Sequence, residues 1–489
     1  MLFTSNSYSQ SEYLQDSIVA KVGNINITID EFVNCYEFGP SFYKRNKDSK
    51  KVFLDYLINE KLLAIDGYNR KLDTLPEIKN IIHEFESDLA TEEMFKQEIQ
   101  KNISYTKEEI DTIAKQKLIE LELKWIYSPN ENEIRKIYDS LKAGIDFDTL
   151  FYRQFNDTIY YEDRYLKSNR YVLGLKNYEL SKIVDTLKVN TFSQPIKAYD
   201  GWYILKLINI NYPLIVSETE QNRIMKEAET AIIKKKMDKL SDAYVHSLML
   251  SAKPVIKRKA FQILRSYLAQ YDLSKEVYEK WQFSQILKDA LHSYNLSDLN
   301  NINNISLVEM NNGNITLEDF LNWFRARSQY IKLDKRSFAN YSRSLENIIW
   351  LMVRDKLLTE QAKAKGYFEY ENVKKQIKWW KDKILYSAVK DELINSIHIE
   401  DKELNLSNTN TSKQSYNELI EAELTKKMFY KLNELKKKYS VTINEKVLKT
   451  INVSEENNIK AIDFYVVKRG NLIPRTPYPA IDNYWKSWQ

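Results

Sequence analysis

The sequence predicts a mainly α-helical protein with one small α+β domain. Three observations carry this. Only 9 Gly and 9 Pro occur among 489 residues, too few for a β-sandwich or an unfolded chain. Apolar residues recur at helical spacing over long stretches, as at Tyr416, Ile420, Leu424, Met428, Leu432, Leu435 and Tyr439. Alternating apolar runs are few, and the clearest lie between Leu121 and Leu207. A chain this long exceeds the size at which one core keeps growing, so several domains are expected.

In chain order, residues 1–16 are polar and rich in Ser and Gln. Ile18–Val22 and Ile25–Ile27 then flank Gly23-Asn24, a hairpin signal. Thr28-Ile29-Asp30-Glu31 reads as a capping box that starts a helix through Phe32 and Tyr36. A second helix carries Phe53, Tyr56, Leu57, Leu63 and Ile65, and a third, long and charged, runs from about Glu77 to Gln100. Thr106-Lys107-Glu108-Glu109 is a second capping box.

From Leu118 the pattern changes. Leu121–Tyr127 alternates as a strand. A helix follows with Ile134, Ile137, Tyr138 and Leu141 on one face, and Gly144 ends it. Asp146 is placed to cap a short second helix. Phe192–Ala198 reads as a strand, Tyr199-Asp200-Gly201 turns it, and Trp202–Leu207 returns beside it.

The opening text then recurs. Leu307–Phe320 matches the first hairpin and cap, with Thr316 answering Thr28 and Phe320 answering Phe32. Lys356-Leu357-Leu358 answers Lys61-Leu62-Leu63. The segments after the lobes echo each other too. Arg223–Leu250 is a long helix before Val255-Ile256, and Tyr416–Tyr439 is one before Val441-Thr442-Ile443. The expected division is a helical lobe at 1–117, the α+β domain at 118–212, a long helix and connector at 213–304, a second lobe at 305–405, and a C-terminal helix and tail at 406–489.

The tail differs in kind. Asp463–Val467 reads as a strand. Beyond it, Pro474, Pro477 and Pro479 exclude helix, and Tyr478, Trp485 and Trp488 are costly to leave in water. Residues 472–489 are expected to dock as an extended strap, on this protein or on a permanent partner.

Composition narrows the chemistry. Lys and Arg number 73 against 68 Asp and Glu, and the net +5 is spread along the chain, giving no basic face for nucleic acid. No run of 18 apolar residues suggests a membrane span. The single cysteine, Cys35, follows an apolar helix face and reads as core. His83, His246, His292 and His398 lack metal-ligand spacing, so neither a metal nor another cofactor is expected. There is no Gly-rich phosphate loop, Gly-x-Ser-x-Gly elbow or His-Glu-x-x-His. Met1–Ser7 shows no basic n-region and no apolar h-region of a signal peptide.

The order of the first strand, Ala143–Leu150, Leu173-Gly174 and Leu187–Leu207 resembles the parvulin-type peptidyl-prolyl isomerase domain. That family normally places one histidine on the first strand, another on the last, and a cysteine or aspartate between. Here Trp125 and Tyr203 stand where the histidines would be expected, and Arg170-Tyr171 replaces the usual Gly-Gly before Leu173-Gly174. The resemblance therefore implies a parvulin fold with no catalytic residue that can be named and little or no isomerase activity. Trp125, Phe147, Phe151, Tyr171, Phe192, Trp202 and Tyr203 are the expected lining of its peptide-binding pocket.

A hairpin-and-helix lobe before such a domain, with a long helix after it, resembles the exported foldases and chaperones of the SurA, PrsA and PpiD type. That resemblance implies duplicated chaperone lobes around the parvulin-like domain and a periplasmic location. It implies unfolded polypeptides as partners, outer-membrane proteins among them. The alternatives are an active prolyl isomerase, or a fixed scaffold subunit of an envelope complex held to one stoichiometric partner through the tail.

Overall fold

The computed structural model describes residues 17–38, 48–156, 158–212, 217–328, 331–398 and 409–453. The strand expected at 463–467 and the strap with Pro474, Pro477, Tyr478, Pro479, Trp485 and Trp488 lie outside the described residues. Among the described residues the protein is mainly helical, with three small sheets. Among the described residues no helix is long and apolar enough to cross a membrane.

The chain opens with β1 (Ile18–Val22), β2 (Ile25–Thr28), α1 (Ile29–Phe38), α2 (Ser49–Asn69), α3 (Pro76–Glu98) and α4 (Lys107–Leu118). Then come β3 (Glu120–Ser128), α5 (Glu131–Lys142), α6 (Phe147–Tyr152), β4 (Tyr165–Asn169), α7 (Arg170–Lys176), α8 (Tyr178–Val184), β5 (Ile196–Lys197) and β6 (Trp202–Asn211). The long α9 (Glu218–Ala252) leads to β7 (Val255–Ile256), α10 (Arg258–Asp272), α11 (Lys275–Lys280) and α12 (Phe283–His292). Last are β8 (Ser306–Met310), β9 (Gly313–Thr316), α13 (Leu317–Arg327), α14 (Phe338–Ala364), α15 (Glu371–Asn395), α16 (Thr409–Lys438), β10 (Val441–Ile443) and α17 (Glu445–Thr450). They fall into two units, Met1–Ile99 with Ser241–Gln489, and Gln100–Leu240.

In the larger unit β1 and β2 turn at Gly23-Asn24, with Val22 opposite Ile25. Gly23 has φ of 55°, the left-handed value that a two-residue hairpin turn asks for. The second hairpin, β8 and β9, turns at Asn311-Asn312, with Met310 opposite Gly313. The third strand of each sheet comes from far away. β10, after the second long helix, pairs antiparallel with β1, Ala20 opposite Ile443. β7, after the first long helix, pairs with β8, Ile256 opposite Val308. Each copy thus hands its closing strand to the hairpin of the other, giving the orders β10-β1-β2 and β7-β8-β9.

The helices cross in the same way. α2 packs on α15, α14 packs on α3, and α3 also meets α15. One core joins Val22, Phe32, Phe53 and Leu57 to Leu385 and Leu432. Another joins Ile263 and Leu287 to Leu307, Phe320 and Ile349. Between them Leu89 and Met94 meet Val245, Leu358 and Trp380, and Phe85 stacks on Trp380 with centroids 4.3 Å apart. Each such side chain contributes about 1.5–3 kcal/mol on burial, so the copies hold each other rather than standing alone.

Buried ions tie the copies as well. Lys61 Nζ lies 2.5 Å from Glu31 Oε1 and 2.6 Å from Asp382 Oδ2, and Tyr68 donates to the other Asp382 oxygen at 2.8 Å. Lys383 Nζ meets Glu60 Oε2 at 2.7 Å. Burial opposes the Lys61 ammonium, but the carboxylates of Asp382, Glu31 and Glu60 outweigh it and hold its pKa well above the ordinary value. Burial raises the Glu31 carboxyl and pushes the Cys35 thiol up to about 12, which makes Cys35 an inert core residue. The expected capping box at Thr28 is therefore only half formed. Thr28 Oγ1 accepts from Glu31 N at 3.2 Å, but the Glu31 carboxylate turns inward to Lys61. The boxes at Thr106–Glu109 and Thr316–Asp319 are complete.

The smaller unit is built on an antiparallel sheet of order β4-β3-β6-β5. α7 and α8 cover one face, through Leu173, Leu180 and Val184 against Leu121, Leu123, Leu205 and Leu207. α5 and α6 cover the other, through Ile134, Leu141, Phe147 and Phe151 against Ile126 and Ile204. α4 and the first part of α9 pack together through Ile113, Ala114, Ile224, Ala228 and Ile232. The strand expected over Phe192–Ala198 shrinks to Ile196–Lys197 and a bridge from Phe192 to Lys206. Pro195 lacks the N–H that a continuous ladder needs.

Candidate peptide-binding site

The seven aromatic residues expected to line one pocket divide into three groups. Trp125 and Tyr203 pack at the margin of the α7/α8 face. Phe147, Phe151, Phe192 and Trp202 belong to the opposite core under α5 and α6. Tyr171 packs with Ile113 and Ile224, beside α4 and α9. The single seven-membered pocket is not formed. Strand alternation supplies the reason, since adjacent residues such as Trp202 and Tyr203 must point to opposite faces.

Trp125 and Tyr203, the positions at which the parvulin resemblance places histidines, are brought together. Trp125 is opposite Leu205 and Tyr127 is opposite Tyr203, so Trp125 and Tyr203 are diagonal neighbours on one face. Both are packed rings. Tyr203 donates from its hydroxyl to Asp200 Oδ2 at 2.8 Å, and Tyr127 donates to Asp200 O at 2.7 Å. The two rings meet edge to face, centroids 5.1 Å apart. Burial and the Asp200 bond push the Tyr203 phenol well above its ordinary range. No histidine lies anywhere in 100–240. A group that exchanges a proton near neutral pH, as general acid–base chemistry requires, is therefore missing at these two positions.

The turn at Gly201 fixes this arrangement. Gly201 has φ of 154°, and a Cβ there would stand 2.6 Å from the Tyr127 ring. Only glycine lets the hairpin close over Tyr127 and bring Asp200 to both phenols.

The sheet leaves an opening next to these residues. β4 pairs with β3 only from Glu120 to Lys124, so beyond Lys124 no strand among the described residues lies beside that edge of β3. There Gln154, just after α6, takes the place of a strand. Its Nε2 donates to Tyr127 O at 2.8 Å, and its Oε1 accepts from Tyr127 N at 3.0 Å. A cleft of about 420 Å³ opens at this edge, lined by Tyr127, Pro129, Ile137, Leu150 and Ile159, with Glu133, Arg153, Gln154 and Arg164 at its polar side. Ser128 Oγ donates to Glu133 Oε2 at 2.5 Å, so that carboxylate is engaged. Arg164 lies over the Tyr127 ring, 4.9 Å from the centroid, and its buried Nε has no hydrogen-bond partner among the described residues.

Behind the cleft, Asp148 holds α6 to the sheet, 2.9 Å from Lys124 Nζ and 3.3 Å from Lys206 Nζ. Partial burial would raise the Asp148 carboxyl, but Lys124 and Lys206 outweigh it and lower its pKa. Of the cleft residues, none was among those expected from the sequence. Their signal is three-dimensional, because strand, loop and helix residues converge only when β4 ends early.

No family model and no curated protein matches this sequence. Solved structures do show likeness. A peptidylprolyl isomerase, PrsA, from Bacillus cereus is 19% identical, with 57% of this chain and 98% of that chain covered and a TM-score of 0.25. PrsA from Bacillus anthracis is 18% identical, with 38% and 97% covered and a TM-score of 0.22. A structure from the Campylobacter jejuni study of PEB4 and Cj1289, two SurA-like chaperones, is 16% identical, with 48% and 98% covered and a TM-score of 0.23. Likeness at these TM-scores assigns neither residues nor chemistry to this chain.

Proposed function

We propose that this protein is a chaperone of the foldase type that holds unfolded polypeptide chains and does not catalyse prolyl isomerisation. One observation supports the second half above all others. The two positions where an isomerase of parvulin type would carry histidines are packed aromatic rings, Trp125 and Tyr203, and the nearest hydroxyl titrates far from neutrality. Supporting the first half are the order of lobe, parvulin-like domain and long helix, and the aromatic surface of the smaller unit. Tyr152, Tyr160, Tyr178, Tyr199 and Tyr212 are all exposed there, and exposed tyrosines suit adaptable contact with many chains.

The finer reading is periplasmic, with outer-membrane proteins among the clients. Light scattering of a denatured outer-membrane porin, diluted from urea with an equimolar amount of this protein, tests it. The expected result is a delayed rise in scattering. A curve identical to that of the porin alone overturns the holding function.

A further inference from the structure

We propose that the free edge of β3 beyond Lys124 is a strand-addition site. It takes an extended peptide that alternates apolar and acidic side chains, and Gln154 keeps its place when the site is empty. This rests on the holding function proposed above and names where and how one class of client segment would be held.

The side-chain amide of Gln154 gives Tyr127 one donor and one acceptor. Those are the two bonds that a residue of an antiparallel neighbour would exchange with Tyr127. An incoming strand can therefore replace Gln154 bond for bond, leaving no buried main-chain group unpaired. Main-chain pairing of this kind gives affinity, and alternate side chains give selectivity.

The cleft supplies that selectivity. Apolar Pro129, Ile137, Leu150 and Ile159 would receive one set of side chains. Arg153 and Arg164 would receive the other. Arg153 is exposed and makes no ion pair among the described residues. Arg164 presents a buried Nε with no hydrogen-bond partner among the described residues. Glu133 already accepts from Ser128, so the open charge of the cleft is positive and suits carboxylates.

Fluorescence anisotropy with a labelled heptapeptide alternating valine and glutamate tests the site on the full chain. Three companions are needed: the valine–lysine heptapeptide, the valine–glutamate peptide methylated at a central amide nitrogen, and the Gln154→Ala protein. The valine–lysine peptide should bind about tenfold more weakly, and so should the methylated peptide, since it loses a main-chain hydrogen bond. Gln154→Ala, checked for folding by circular dichroism, should bind the valine–glutamate peptide several-fold more tightly, because nothing has to be displaced. Arg153→Gln with Arg164→Gln should remove the preference for glutamate over lysine. Equal binding of the methylated and unmethylated peptides overturns strand addition. Equal binding of the glutamate and lysine peptides overturns the assigned chemistry. If either occurs while porin aggregation is still delayed, this inference fails and the holding function stands.

Discussion

The two copies of the lobe solve one problem with different residues. In each, a cation from one copy is buried between carboxylates that include one from the other copy. In the first, Lys61 is wholly buried between Glu31 and Asp382. Its counterpart by repeat, Lys356, is only half-buried. The task has passed to Arg327 at the end of α13, which meets Glu84 Oε2 at 2.6 Å and Asp88 Oδ1 at 2.9 Å. Asp355, the counterpart of Glu60, accepts from Trp323 at 3.2 Å. What the duplication keeps is a charged tie between copies, while the residue that makes it has moved. A buried ion pair is in itself weak evidence for stability; in both places here it joins residues of the two copies.

The largest effect should come from removing one charge. Lys61→Met leaves Glu31 and Asp382 facing each other without a cation, and should cost about 4 kcal/mol in chemical denaturation. Arg327→Met should cost somewhat less, about 3 kcal/mol, because its acids are nearer the surface. The reverse order would mean that burial of the acids does not set the cost. Replacing Lys61 together with both acids by apolar residues should recover most of the loss.

The next effect is one of pH. Lys61 and Lys383 are both held above the ordinary lysine value of 10.5. A cation with a folded pKa above its unfolded one stabilises fully below the unfolded value, and that stabilisation disappears as pH rises through the folded value. The larger unit should therefore keep this contribution through neutral pH and lose it above about pH 10. Denaturant midpoints across that range should fall in the wild type and stay flatter in Lys61→Met.

The smallest effect separates the two caps. Thr316→Ala breaks a complete capping box and should cost about 1 kcal/mol. Thr28→Ala breaks a single bond, since Glu31 is engaged elsewhere, and should cost about 0.5 kcal/mol. Equal costs would mean that the diverted carboxylate still supports the helix start.

Most helices and both hairpins are legible in the sequence, because apolar spacing, Gly23 and the threonine caps are local signals. The exchange is not. Val255-Ile256 and Val441–Ile443 read as strands, but so short a strand carries no information about its neighbour. Lys61 and Lys356 look equivalent on the page, and only the fold around them decides which is buried. Among the pocket aromatics, period two alone separates Trp202 from Tyr203. Gln154 offers no local signal, because its role depends on where β4 stops.

We propose that the smaller unit holds unfolded chains without isomerising prolyl bonds. Exchange spectroscopy by NMR on an Ala-Ala-Pro-Phe peptide, with and without the full protein, tests it most directly. Cis–trans exchange should stay at the spontaneous timescale of tens to hundreds of seconds. Acceleration by the wild type that is lost in Tyr203→Phe, a change that keeps the ring and removes the hydroxyl, would contradict it.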